Sequence, residues 1–146
     1  MLKALKQLYK DTPCKVVSSW DIPKLWVDWY GYDGVALYNP LMIIINKKLP
    51  QYKQVWVLAH ETGHIIHKIS RCNCTRGLKH KNRRKQIQRE YHALQYELKW
   101  LIKHKQTRAL KHSLWVWKTT TSKIHSAAYK RFCNTKYGKE IILCWE

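Results

Sequence analysis

Acidic residues are what this sequence has least of. Nine Asp and Glu stand against 28 Lys and Arg in 146 residues, a formal net charge of +19. The imbalance is uneven: residues 1–58 hold 8 basic and 4 acidic residues, net +4, while residues 59–146 hold 20 and 5, net +15. Such a surface should attract nucleic acid, an anionic membrane surface or an acidic protein. No apolar run approaches the ~18 residues of a membrane span, so no membrane partner is expected. Hydrophobic residues are nevertheless 45% of the chain, which excludes disorder. Five cysteines, at 14, 72, 74, 133 and 144, are odd in number and irregular in spacing. With no export signal, they argue against a disulfide framework and for a reducing, cytoplasmic setting. Phe is nearly missing, one against 8 Trp and 9 Tyr, and no function follows from that.

Proline and glycine are scarce and unevenly placed. All four Pro and two of the five Gly fall before residue 51. That front part reads as short strands and turns after an amphipathic first helix with Leu2, Leu5 and Leu8 on one face. "CKVVSSW" and "KLWVDWYGYDGVALYNP" carry the β-branched and aromatic runs. The Ile-rich "LMIIIN" is too short for an ordinary helix and reads as a strand, expected at the sheet edge. From Tyr52 the period changes: Val55, Leu58, Ala59, Gly63, Ile66 and Ile69 recur at helical spacing. A polar, basic loop with Gly77 follows, then a second helix over residues 85–103 with Ile87, Tyr91, Leu94, Leu98 and Leu101 as its stripe. "TTTSKIHSAAYKRF" reads as a helix capped by Thr121 or Ser122, and "EIILCW" as a last strand. The expectation is a single domain over residues 1–146 of α+β class. Its core, about 35–103, is a small mixed sheet packed against two site-bearing helices, and 104–146 form a mainly helical extension.

The stretch "VWVLAHETGHIIHKI", residues 55–69, contains His60-Glu61-Thr62-Gly63-His64, an H-E-x-x-H pattern on an apolar helix. Positions i and i+4 share a helix face, so His60 and His64 can bind one metal ion. Glu61 lies beside them, able to act on a water rather than as a ligand. A catalytic zinc needs a third protein ligand. Between Asp33 and Glu140 the acids are Glu61, Glu90 and Glu97, and the last two lie on the next helix. A chain with so few acids has little reason to place one on an apolar helix without a partner. Glu90 is therefore the expected third ligand, and Glu97, two turns on, a group that orients a ligand. The bland alternative for Glu90 is a surface acid paired with Arg83, Arg84 or Lys85.

Around this motif, "MIIINKKLPQYKQVWVLAHETGHIIH" resembles the core of the ImmA/IrrE family of metallopeptidases, and "EYHALQYEL" resembles its following helix. The resemblance spans roughly residues 35–100. It implies a small α+β domain, one zinc ion held by His60, His64 and Glu90, and Glu61 as general base. It also implies cleavage of a regulatory protein such as a transcriptional repressor, and short members of the family occur in phages and mobile elements. The chain departs from the family's pattern where Tyr91-His92 replace Ala-Asn.

Further expectations are weaker. His67, one turn after His64, could stand behind a ligand or touch substrate. Tyr91, His92 and Tyr96 are candidate oxyanion donors. Arg83, Arg84 and Lys85 sit in a stretch, residues 68–89, with nine Lys/Arg and no acid, a candidate contact to phosphates or an acidic partner. Cys72-x-Cys74 with His80 is poor zinc-finger spacing, so free thiols are expected. Two rival functions stand beside the peptidase. One is a DNA-associated protease similar to SprT-like enzymes, with His80 as third ligand. The other is a non-catalytic binding or inhibitor protein on the same scaffold.

Overall fold

A computed structural model describes residues 2–19, 33–75 and 82–145. The expected strand content of residues 20–32, and His80, lie outside the described residues. The described chain is α+β. It runs α1 (Leu2–Asp11), β1 (Lys15–Ser19), β2 (Gly34–Tyr38), β3 (Leu41–Asn46), α2 (Gln51–Ile69), a 3-10 turn (Asn73–Thr75) and α3 (Arg83–Lys103). Three further helices follow, α4 (Thr107–Thr119), α5 (Lys123–Cys133) and α6 (Lys136–Trp145). Among the described residues no helix is long and apolar enough to cross a membrane.

The sheet is mixed, with strand order β1-β3-β2. β3 pairs parallel with β1, Val16 opposite Ile43, and antiparallel with β2, Ala36 opposite Ile43. This corrects one expectation: the Ile-rich strand is central rather than at the edge. Its composition fits that place, since Ile43 and Ile45 are fully buried on the face toward α2. The Asn46 side chain accepts from the Lys48 backbone N–H at 2.9 Å and ends the strand, and Pro50 precedes α2.

α2 is buried almost all round, which marks it as the central helix. Its residues 57 and 61 meet β2 at Gly34, where a Cβ would stand 2.4 Å from Val57 Cγ1. Thr62 shares a buried 2.8 Å hydrogen bond with Thr12, whose hydroxyl donates to the Leu8 carbonyl and so locks the end of α1 onto α2. Toward α3, a Cβ at Gly63 would lie 2.8 Å from Ala93 Cα, so only glycine permits this helix spacing. Asn82 caps α3 by accepting from the Lys85 N–H at 3.2 Å.

α4 buries Ala109, Leu110, Ser113, Leu114 and Trp117. Of the two candidate caps for α5, Ser122 fills the position and accepts from the His125 N–H. The second correction concerns "EIILCW", which is helical, the end of α6, and not a strand. Thr135 supplies the start signal, its hydroxyl accepting from the Gly138 N–H at 2.9 Å. Burial follows a helical rather than an alternating pattern: Ile141 is buried while Leu143 is 86% exposed.

Candidate metal centre

Four elements converge on the two motif histidines. From α2, His60 and His64 project one helical turn apart, with their Nε2 atoms 3.2 Å from each other. From α3, the Glu90 carboxylate lies 3.2 Å from His60 Nε2 and 3.5 Å from His64 Nε2. From α5, His125 Nε2 comes within 3.3 Å of Glu90 Oε2. From α4, Trp117 packs between the two imidazoles, 5.6 Å from the His60 ring and 5.4 Å from that of His125.

Behind His60 stands Glu97, fully buried. One oxygen lies 2.9 Å from His60 Nδ1. The other accepts from Trp56 Nε1 at 2.8 Å and from the Ser113 hydroxyl. A carboxylate so placed accepts a hydrogen bond from the Nδ1–H of His60 and leaves the Nε2 lone pair directed at Glu90 and His64.

The electrostatics follow from burial and crowding. Burial alone would lower the pKa of His60, but Glu90 and Glu97 hold it well above the ordinary histidine value. Burial would likewise raise Glu90, but His64, His125 and His60 hold its carboxyl well below the usual range. The cluster is therefore built to hold positive charge between carboxylates. Glu61, also buried, differs: desolvation pushes its carboxyl up against the pull of His60 and His64. It accepts a hydrogen bond from the Ala36 backbone of β2. Tyr38, at the end of that strand, is raised by burial and by the nearby charges of Glu61 and Glu90.

These donors fit a divalent metal. Two imidazoles and a carboxylate offer atoms that all lie within 4.8 Å of one another. Tetrahedral ligands at about 2.0–2.1 Å from zinc stand roughly 3.3–3.4 Å apart, close to the spacings here. Glu90 Oε2 is buried with imidazole nitrogens of His60 and His125 at 3.2 and 3.3 Å, and a carboxylate buried in this way is costly unless positive charge satisfies it.

The remaining expected site residues are placed elsewhere. The Tyr91 hydroxyl accepts from Gln95 at 2.9 Å, and Arg131 covers its ring. Tyr96 lies near Gly63 and Asp11, with burial raising its hydroxyl to about 12. His92 and His67 stack on each other, ring centroids 4.2 Å apart, in a separate cluster with Cys72. Arg83, Arg84 and Lys85 form the first turn of α3, the first two exposed. The sequence reading did not single out His125, Tyr38, Trp56 or Ser113. The positions of His125, Tyr38 and Ser113 depend on how α5, β2 and α4 dock, whereas Trp56 stands one helical turn before His60 on α2.

A domain in which one helix carries H-E-x-x-H and the next supplies a Glu to the same point belongs to a metal-site class. The particular family follows from the sequence as a whole. The chain belongs to the IrrE N-terminal-like domain family, Peptidase M78, whose pattern matches residues 27–137. This is a family of zinc metallopeptidases. The match extends beyond the resemblance at 35–100 and takes in α4, α5 and thus His125. No curated protein and no solved structure gives a significant match.

Proposed function

We propose that the chain is a zinc-dependent peptidase that hydrolyses a peptide bond in a regulatory or DNA-associated protein. The observation that carries this reading is the convergence of His60, His64 and Glu90 beside a buried, non-ligating Glu61. These three residues would hold one zinc ion. Zinc in such a site supplies Lewis acidity, lowering the pKa of a water and polarising the scissile carbonyl.

The protein's own groups do the rest. Glu61 accepts the proton of the attacking water and passes it to the leaving amine. Its burial favours the neutral form it adopts between those transfers. Glu97 fixes the ring of His60 in the tautomer that keeps Nε2 unprotonated. His125 and Tyr38 flank the ligands and are the polar groups in position to steady the carbonyl oxygen. Among the described residues β2 ends the sheet order, and it passes over Glu61. An extended substrate would pair with its outer edge, a role that the central β3 cannot fill. Glu90 at the site favours the His-His-Glu arrangement over a ligand set completed by His80. The strongly positive half of the chain supports a DNA-bound or acidic substrate, and the family resemblance implies a phage or mobile-element regulator.

The test is exposure of a proteome-derived peptide mixture to zinc-loaded wild type and to Glu61→Gln, with new N-termini counted. Wild type should generate cleavages that the variant lacks, with a rate loss on the order of 10²–10⁴-fold. Zinc content should be equal in both proteins. Equal cleavage patterns from the two would contradict the proposal and leave the binding-protein function.

A further inference from the structure

The turn that leaves α2 brings two thiols back toward α3. Cys72 Sγ and Cys74 Sγ lie 3.2 Å apart. His92 Nδ1, on α3, is 3.7 Å from the first and 3.5 Å from the second. His67, in the last turn of α2, stacks on His92 with 15° between the ring planes, so one of the two rings must turn before both can direct a nitrogen lone pair at one ion. Donor atoms of His67, Cys72 and His92 all fall within 4.8 Å of one another. Cys74 is 1% exposed, and the Nδ1 of His67 is buried without a hydrogen-bond partner.

Two sulfurs and two imidazole nitrogens are a donor set that zinc prefers and that hard cations such as calcium or magnesium do not. The spacing agrees. Zinc with sulfur at about 2.3 Å and nitrogen at about 2.0–2.1 Å puts neighbouring S and N donors roughly 3.5–3.6 Å apart. The observed sulfur–nitrogen separations, 3.5 and 3.7 Å, bracket that value. Charge agrees as well. A dication bound by two thiolates and two neutral imidazoles is neutral overall, which a chain at +19 tolerates far better than an uncompensated dication. Among the described residues no cysteine is in a disulfide, so none competes for these sulfurs.

We propose that Cys72, Cys74, His92 and His67 form a second, structural zinc site. Four protein donors leave no open position for water or substrate. The ion would tie the turn after α2 to α3 at a point two residues from Glu90, and so brace the helix pair that carries the first cluster. The spacing Cys72-x-Cys74 gives no zinc-finger template because the nitrogen donors come from two different helices. His80 is not required. The inference does not depend on the peptidase reading, since it uses none of the same donors.

The experiment is metal titration of the full chain, stripped with chelator and then supplied with Zn2+ or Co2+. Wild type should bind two equivalents, and Cys72→Ser/Cys74→Ser one. The cobalt form of wild type should show the near-ultraviolet thiolate-to-cobalt charge-transfer band, and His60→Ala/His64→Ala should retain it with one equivalent lost. Should the cysteine variant fail to fold, the wild-type spectrum and the histidine variant still decide. No thiolate band in cobalt-loaded wild type would overturn the proposal, as would a Cys72–Cys74 disulfide in the zinc-replete protein. One equivalent with the band would leave this site standing and remove the first. One equivalent without it would do the reverse.

Discussion

The α2–α3 pair carries two donor clusters that are held in opposite ways. Around the first, His60 is fixed from behind by Glu97, which is itself fixed by Trp56 and Ser113. Its donors sit on two long helices whose spacing is set by Gly63 against Ala93. Around the second, two donors come from a short turn, Cys72, His67 and His92 are only half-buried, and among the described residues no carboxylate is hydrogen-bonded to the imidazoles. The difference teaches which cluster the fold prepares by itself. The first is organised by the protein before any ion arrives, as suits a site that must position a reacting water. The second gains its order from the ion, as structural zinc sites do.

Removing the support of the first cluster should have the largest effect. Glu97→Ala leaves the Trp56 indole N–H, the Ser113 hydroxyl and His60 Nδ1 without their acceptor. The expected loss is about 3–5 kcal/mol in urea unfolding. Zinc affinity at the first cluster should fall by about 10–100-fold, with cobalt–thiolate absorbance at the second unchanged. Gly63→Ala comes next. The added methyl meets Ala93 backbone atoms at 2.8 and 3.0 Å, so the two helices must separate. A cost of about 1–3 kcal/mol is expected, and both metal equivalents should weaken together.

Asp11 provides a control remote from both clusters. Its carboxylate accepts from Trp100 Nε1 at 2.9 Å and from Gln7 at 2.9 Å. The Trp100 bond, against desolvation, holds its pKa below 3.8. A depressed folded-state pKa stabilises the protein above the unfolded value, and that stability is lost as pH falls through the folded one. Asp11→Asn should therefore cost about 1 kcal/mol at neutral pH. The difference from wild type should shrink as pH drops below 3.8, and at neutral pH the variant should retain both metal equivalents. The smallest effect is expected from Cys72→Ser in the presence of chelator, within about 0.5 kcal/mol of wild type. In zinc the same variant should lose the ion-dependent rise in melting temperature that the wild type shows.

The first cluster was legible in the sequence because helix periodicity and the scarcity of acids both act locally. H-E-x-x-H fixes the face of two donors by spacing alone. Between Asp33 and Glu140 only Glu90 and Glu97 remained as carboxylate partners. The second cluster was hidden because its donors, at 67, 72, 74 and 92, come from a helix end, a turn and another helix. Strand order was hidden for a similar reason: an Ile-rich run announces burial, but which neighbours pair with it is a matter of tertiary contact. "EIILCW" has the composition of a strand, and Thr135, outside the apolar run, decides that it is a helix. His125 reaches Glu90 only because α5 folds back over α3, a docking that no periodicity within residues 123–133 specifies.

The central claim is that His60, His64 and Glu90 form a zinc site organised by the fold. Its most direct measurement is a pair of anomalous difference maps from zinc-grown crystals, recorded on either side of the zinc absorption edge. A peak bounded by His60 Nε2, His64 Nε2 and the Glu90 carboxylate, present in wild type and in Glu61→Gln alike, is the predicted result. A map with no peak there, at full occupancy of zinc in solution, would contradict the account.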